Sequence, residues 1–328
     1  MTGTLAFFRA AIFLGITLAL SPATIARAEN YPAKPVRIVV PYPAGGGTDI
    51  ATRIIAQKLT DAFKQSFYVD NRPGANGNLG TELIARANPD GYVIGMATPG
   101  PITVGRSLYP DLRYDPQKDL ASVVLANESP IVLVTNPSLK ASTLPELVKL
   151  AKAKPGKLTT AITATGSVAH LLTEMLKVSA DVDILSVPYR GGGPAAIDLL
   201  SGQVDMTFAV LPLVIEYIKA GTMRAIAVAS PKRTPLLPDV PTTAEAGYPD
   251  IVGSAWNGLV VPAGTPRPII DALSKEMMKI LQLPDVASQF EKLGMQAIGG
   301  TPDSFKDFQI AEARKWAEVI RAAKVTSP

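Results

Sequence analysis

"VVPYPAGGGTDIATRIIAQKL", residues 39–59, passes from an apolar run through three consecutive glycines into a helical pattern. The run at its head, Val36-Arg37-Ile38-Val39-Val40, has the composition of a strand covered on both faces. Behind the glycines, Ala51, Ile54, Ile55, Leu59, Ala62 and Phe63 share one side of a 3.6-residue spiral. Strand, glycine turn and helix in this order open a βαβ unit, and backbone amides at such a junction can hold an anion.

The same alternation continues along the chain. Strands are expected near 67–69, 92–97, 131–134, 158–162, 184–187, 204–210 and 225–229. Helices are expected near 79–87, 144–153, 167–178, 194–200 and 213–219. No sequence repeat accompanies this reuse of one architecture. Residues 231–249 are rich in proline and turn formers and read as a surface excursion with one short helix near Thr242 to Ala246. A single strand, Trp256 to Val261, then precedes two or three helices, the last with Phe305, Phe308, Trp316, Val319 and Ile320 on one face. Helices with one strand beside them must pack on a sheet made elsewhere. The first domain is therefore expected to be discontinuous, 29–128 with 255–328, and the second to span 129–254. Two crossings between them make a hinge with a cleft.

Arg9, the apolar run Ala11 to Leu20 and the small-residue site Ala26-Arg27-Ala28 read as a secretory signal, residues 1–28, cleaved after Ala28. The run is too short for a membrane span, which takes about 20 apolar residues. That places the mature protein in the periplasm. The absence of cysteine excludes a disulfide framework, a thiolate metal site and a cysteine nucleophile. Formal net charge is +4, and no basic run is interleaved with aromatics, so nucleic acid is not an expected partner.

Four junctions share one design: "PYPAGGGTDI" (41–50), "NRPGANGNLG" (71–80), "TATGSVAHLL" (163–172) and "VPYRGGGPAA" (187–196). Each has glycine at a tight turn and opens a helix, whose first amides are unpaired and electropositive. Ligands of open α/β sheets bind at the carboxyl ends of the strands, where these turns lie. Thr48, Asp49, Asn76, Asn78, Ser167 and Arg190 add polar side chains there. Helix capping by Thr48, Asp49 and Ser167 is the plainer reading, and it is compatible with ligand contact.

Nucleotide chemistry does not fit. Gly45-Gly46-Gly47-Thr48-Asp49 lacks the lysine of a P-loop, puts a carboxylate where phosphate would sit, and lacks dinucleotide-fold spacing. His170, the one histidine, lies three residues after Ser167, too close on one helix start for a well-placed serine–histidine pair. Metal binding is not expected either. Asp49 and Asp205 are placed at the cleft edges of opposite lobes. They could act as a hydrolase pair, or else Asp49 caps its helix and Asp205 accepts bonds from backbone amides or from the ligand.

Taken in order, these pieces resemble the Bug-type extracytoplasmic solute-binding receptors of tripartite tricarboxylate transporters. The resemblance rests on Pro41-Tyr42-Pro43-Ala44-Gly45-Gly46 with Asp49, Asn71-Arg72-Pro73-Gly74-Ala75 with Gly80, and Gly166-Ser167 with His170. It continues through Val187-Pro188-Tyr189-Arg190-Gly191 with Pro194, Pro241-Thr242 with Glu245-Ala246-Gly247-Tyr248-Pro249, and Trp256 with Gly258.

The resemblance implies an α/β, two-lobed periplasmic-binding-protein fold (type II-like, a Venus flytrap), with two α/β domains joined by two hinge crossings. It implies a monomeric, non-enzymatic receptor without cofactor or metal, closing on a small organic carboxylate. Di- or tricarboxylates, aromatic acids and amino-acid-like compounds are the candidates. Delivery to the permease subunits of such a transporter would follow; presentation to a membrane sensor kinase is the alternative, and a secreted serine hydrolase a third reading. Carried over, the proximal contacts are Ala44, Gly45, Gly46, Thr48, Asp49, Thr165, Gly166 and Ser167. Asn78, Thr98, Tyr189, Arg190, Gly191 and Asp205 form the more variable remainder. Asn76, Asn257 and Leu120-Ala121-Ser122 depart from the family's usual residues.

Overall fold

The computed structural model describes residues 31–189 and 191–327; the signal segment and Arg190 lie outside them. β1 (Val36–Val40) is buried everywhere but at Arg37, as a strand covered on both faces must be. α1 (Gly47–Phe63) buries Ala51, Ile55 and Leu59, spaced four apart, with Thr52 and Ala56 beside them. β2 (Phe67–Asn71) pairs in parallel with one edge of β1. The chain then forms α2 (Asn78–Ala85) and β3 (Val93–Ala97), which lies parallel on the other edge of β1. Beyond β3 a wide helical turn, Gly100–Val104, runs into α3 (Gly105–Leu108).

β4 (Leu120–Thr135) is the longest strand and serves both sheets. After it come α4 (Leu144–Ala153), β5 (Thr159–Ile162), α5 (Val168–Ala180), β6 (Leu185–Pro188), α6 (Gly192–Leu200), β7 (Met206–Val210), α7 (Leu211–Lys219) and β8 (Arg224–Val228). The last part of the chain forms β9 (Ser254–Pro262), α8 (Arg267–Leu281), α9 (Pro284–Lys292), β10 (Gln296–Ala297) and α10 (Pro302–Ala322).

Residues Leu120 to Pro130 of β4 pair antiparallel with β9, which also pairs antiparallel with β3 and so completes the first sheet. Residues Ile131 to Thr135 pair instead with β7 and β8, and β5 and β6 follow β7 in parallel. The chain thus changes sheet inside β4, and again where β9 begins at Ser254. Two α/β lobes follow from that sharing of one strand. The short helix expected near Thr242 to Ala246 is instead a series of turns, tied by Ala246 N–H to Thr242 O and Tyr248 N–H to Thr243 O. A parallel bridge between Val228 and Thr242 holds this excursion on the second sheet.

α10 packs on the first sheet through an aromatic cluster. Trp256 meets Phe305 and Phe308 edge-on, with centroids 5.7 and 5.5 Å apart. Burying such a side chain contributes about 2–3 kcal/mol. The far half of α10 leaves that sheet and places Trp316 and Ile320 in a core shared with Leu171 and Leu172 of α5. One helix therefore touches both lobes.

Candidate functional site

The carboxyl ends of β1 and β3 carry residues 41–47 and 98–108, and the carboxyl end of β5 carries residues 163–167. The first loop is organised from below. Gly45 N–H donates to Asp49 Oδ2 at 2.8 Å, and the same carboxylate accepts from Arg53 Nε and Asn71 Nδ2, each at 3.0 Å. Burial pushes the Asp49 carboxyl up, but Arg53, the Gly45 amide and Asn71 outweigh it and hold the group below its usual range. Through these three bonds Asp49 holds the loop in shape. The amides of Gly47, Thr48 and Asp49 precede Ile50, whose N–H is the first to find a helical acceptor, Gly46 O, and no side chain caps them. Ala44, Gly45, Gly46 and Gly47 are exposed and Thr48 is half-buried, so this helix start opens to solvent.

Tyr42, which the sequence showed only as part of the Pro41–Gly46 motif, ties three segments together. Asn71 Nδ2 donates to its carbonyl at 3.0 Å, Thr98 Oγ1 donates to its hydroxyl at 3.3 Å, and that hydroxyl donates to Asn76 O at 3.4 Å. Burial raises the Tyr42 phenol, which keeps it a donor at neutral pH. Thr98 is buried in this network. Asn76 and its neighbour Ala75 both have positive φ, 53° and 47°, and Asn76 Nδ2 is buried without a partner. Asn78 turns inward: its Oδ1 lies 2.9 Å from the Tyr114 hydroxyl.

The second-lobe loop is built to the same plan. Gly166 N–H donates to His170 Nδ1 at 3.1 Å, and Ser167 Oγ accepts from His170 N–H at 3.2 Å, closing the helix cap. Val168 and Ala169 amides are left for acceptors outside the helix. These two were missed in the sequence because only the glycine and the hydroxyl stood out. The Thr165 carbonyl accepts from the Tyr109 hydroxyl at 3.3 Å, a bond between the lobes. Gly166 (φ 76°) abuts the same segment: a Cβ there would lie 2.2 Å from Leu108 Cδ2. A serine hydrolase is not supported by this arrangement. One ring nitrogen of His170 accepts from Gly166 and the other faces Glu174 Oε1 at 3.6 Å, so neither is directed at Ser167 Oγ.

The remaining expected residues fare unequally. Tyr189 donates from its hydroxyl to Asp198 Oδ2 at 2.7 Å; burial and that carboxylate push its phenol up to about 12. Gly191 has φ 112° and starts α6 without a side-chain cap. Asp205 requires correction. It immediately precedes β7, and its carboxylate accepts from Thr159 N–H at 2.7 Å and Thr159 Oγ1 at 3.0 Å, at the amino end of β5. β5 and β7 are parallel, so Asp205 sits at the end of the sheet opposite Gly166 and Ser167. It is an acceptor for backbone and hydroxyl, not a cleft residue. Asn257 is buried and donates to Asn127 Oδ1 at 2.8 Å. Among the described residues no group of three or more His, Cys, Asp and Glu side chains is placed to hold a metal ion.

Two glycine loops thus stand each at the carboxyl end of its own sheet, and residues 98–109 link them through the Tyr109 bond to Thr165 and the contact of Leu108 with Gly166. A model of the tripartite tricarboxylate transporter family receptor matches residues 51–325. The chain belongs to that family. Its proteins are receptors rather than enzymes, and this one has the α/β, two-lobed periplasmic-binding-protein fold. It is 40% identical to the protein BugT of Bordetella pertussis over 295 residues, which cover 90% of each chain. The solved structure of R. palustris Rpa4515 with adipate superposes with a TM-score of 0.84 at 33% identity, over 90% of this chain and 99% of that one. MatC from Rhodopseudomonas palustris with bound malate gives 0.80 at 31% identity, over 88% and 100%.

Proposed function

We propose that this receptor works in the periplasm, capturing a small organic dicarboxylate between the Gly45 and Gly166 loops and delivering it to the membrane permease of a tripartite tricarboxylate transporter. The observation that carries the reading is the pair of open helix starts. Gly47, Thr48 and Asp49 offer amides on one lobe; Val168, Ala169 and the Ser167 hydroxyl offer donors on the other. Donors of this kind, with two helix dipoles behind them, suit a carboxylate oxygen from either side. Asp49 does not oppose this, because its own charge is matched by Arg53. Adipate in one relative and malate in another support the dicarboxylate class. No helix among the described residues is long and apolar enough to cross a membrane, which suits a receptor that needs a separate permease.

The change of sheet partner at Pro130–Ile131 and the start of β9 at Ser254 support a domain division of 29–128 with 255–328 against 129–254. Thermal melting in the presence of malate, succinate, adipate, citrate, benzoate and glutamate tests the ligand class. A dicarboxylate is expected to raise the melting temperature with its concentration, through selective binding to the folded state. A shift with citrate or benzoate alone would overturn the class, and no shift across the whole set would overturn carboxylate capture.

A further inference from the structure

His170 is buried, and its two ring nitrogens face different partners. Nε2 points at Glu174 Oε1, 3.6 Å away, and Lys177 Nζ lies 2.9 Å from the same oxygen. Burial pushes the Glu174 carboxyl up, but the bonds from His170 and Lys177 prevail and keep it below its usual range. A carboxylate at Nε2 calls for the hydrogen on that nitrogen. Nδ1 is then bare, and it accepts the Gly166 amide. From the first-lobe segment across the loop, the titratable group is Tyr109, whose phenol is raised by burial and stays neutral. Val104 and Leu108 there, and Trp316 and Ile320 of α10, are apolar.

From this geometry we infer that His170 is a positioning residue for the ligand: its neutral imidazole sets the Gly166–Ser167 loop, so that carboxylate binding weakens when the imidazole takes up a proton. Protonation places an N–H at Nδ1, where it meets the N–H of Gly166, donor against donor. Gly166 cannot adjust toward the first lobe, because Leu108 already occupies that side. The strain passes to the Ser167 cap and to the amides of Val168 and Ala169. The inference rests on the receptor reading above, and its test separates the two.

Malate and adipate serve as the probes. For whichever binds the wild-type protein, the dissociation constant is expected to rise roughly tenfold between about pH 8 and about pH 5, the effect of losing one buried hydrogen bond. In His170→Asn, an amide oxygen can take the place of Nδ1 without titrating. That variant should keep its affinity at the higher pH and follow only the pH dependence of the ligand's own ionisation. A wild type and a His170→Asn variant with the same pH profile would overturn the inference.

A ligand-independent readout also exists, because the chain has a single histidine. Nitrogen NMR should find the Nε2–H form at high pH, with the Gly166 amide signal moving in step with the imidazole as pH falls. An Nδ1–H form, or a Gly166 signal indifferent to the titration, would overturn the inference whatever the ligand. If the imidazole and Gly166 titrate together while neither dicarboxylate binds at any pH, the ligand class fails and the positioning of the loop stands.

Discussion

The two glycine loops, Gly45 to Asp49 and Gly166 to His170, solve one backbone problem with different chemistry. In each, a glycine at positive φ (83° and 76°) turns the chain off a strand, and its amide is taken by a side chain four residues later. The residue after that glycine is the helix N-cap in both cases. Aligned on these positions the loops read G-G-G-T-D and G-S-V-A-H, with only the first glycine in common. The acceptor is a buried carboxylate, charged at neutral pH, in the first lobe and an imidazole in the second. The first helix start is uncapped and exposed; the second is capped by Ser167 and packed on the opposite lobe. In the clamp proposed above, the first loop would be the fixed half and the second the half that pH changes.

The largest effect on stability should come from removing the fixed acceptor. Asp49→Ala leaves the Gly45 amide and Asn71 without their partner inside the lobe, and is expected to cost roughly 3 kcal/mol in urea unfolding. The pH dependence follows the same logic. The Asp49 pKa is lowered in the folded state, so its contribution is fully present above the ordinary carboxylate range and is lost as pH falls below about 4. An Asp49→Ala protein should therefore lose less stability on acidification than wild type. Equal acid sensitivity of the two would show that Asp49 is not the acceptor on which the loop depends.

Next in size is a matched pair, Gly166→Ala and Gly45→Ala. Both impose positive φ on a residue with a Cβ, worth about 1 kcal/mol. At Gly45 no atom lies within 4 Å of that Cβ, so nothing more is expected. At Gly166 it would meet Leu108, itself buried, and Val104 Cγ1 at 3.3 Å, adding about 1–2 kcal/mol and loosening the contact between the lobes. Equal destabilisation by the two alanines would mean that the lobes do not press together at this point in solution.

Ser167→Ala should cost about 1 kcal/mol through loss of the bond to His170 N–H, with Ser167→Thr recovering most of it. The first loop has no counterpart to lose, since Gly46 offers no side chain. A Ser167→Ala protein as stable as wild type would show that the cap contributes nothing and that the loop is held by the Gly166–His170 and Tyr109–Thr165 bonds.

Much of this design was legible in the sequence, and its limits have physical causes. The strands and helices around residues 36–63 follow from apolar periodicity, and glycines before helices announce the open amides. Asp205 stands at the amino end of β7 whether that strand begins at Val204, as expected, or at Met206, and its placement at the cleft overlooked this. The loops that could hold a ligand leave the carboxyl ends of the parallel strands, so a carboxylate at the start of β7 lies at the far end of the sheet. β4 was read only from 131, because Asn127, Glu128 and Pro130 interrupt its apolar pattern; the structure tolerates them where the strand changes sheets. His170 was weighed as a catalytic base because Ser167 is near it in sequence. Its bond to Gly166 depends on a turn whose geometry no residue spacing displays.

The smallest effect on stability should belong to Gly46→Val, and there the comparison becomes sharpest. Gly46 has φ −77° and ψ 165°, ordinary extended backbone that a β-branched residue adopts readily. The nearest atom to its added Cβ is Pro43 O at 3.5 Å, a normal contact. Unfolding free energy should stay within about 0.5 kcal/mol of wild type. Affinity should not: the valine methyls would stand in front of the Gly47 and Thr48 amides, and the dissociation constant for a bound dicarboxylate is expected to rise at least about tenfold. Calorimetric titration beside urea unfolding separates the two quantities. Unchanged affinity in a stable Gly46→Val protein would assign the grip to the second lobe alone and leave the first loop as a turn.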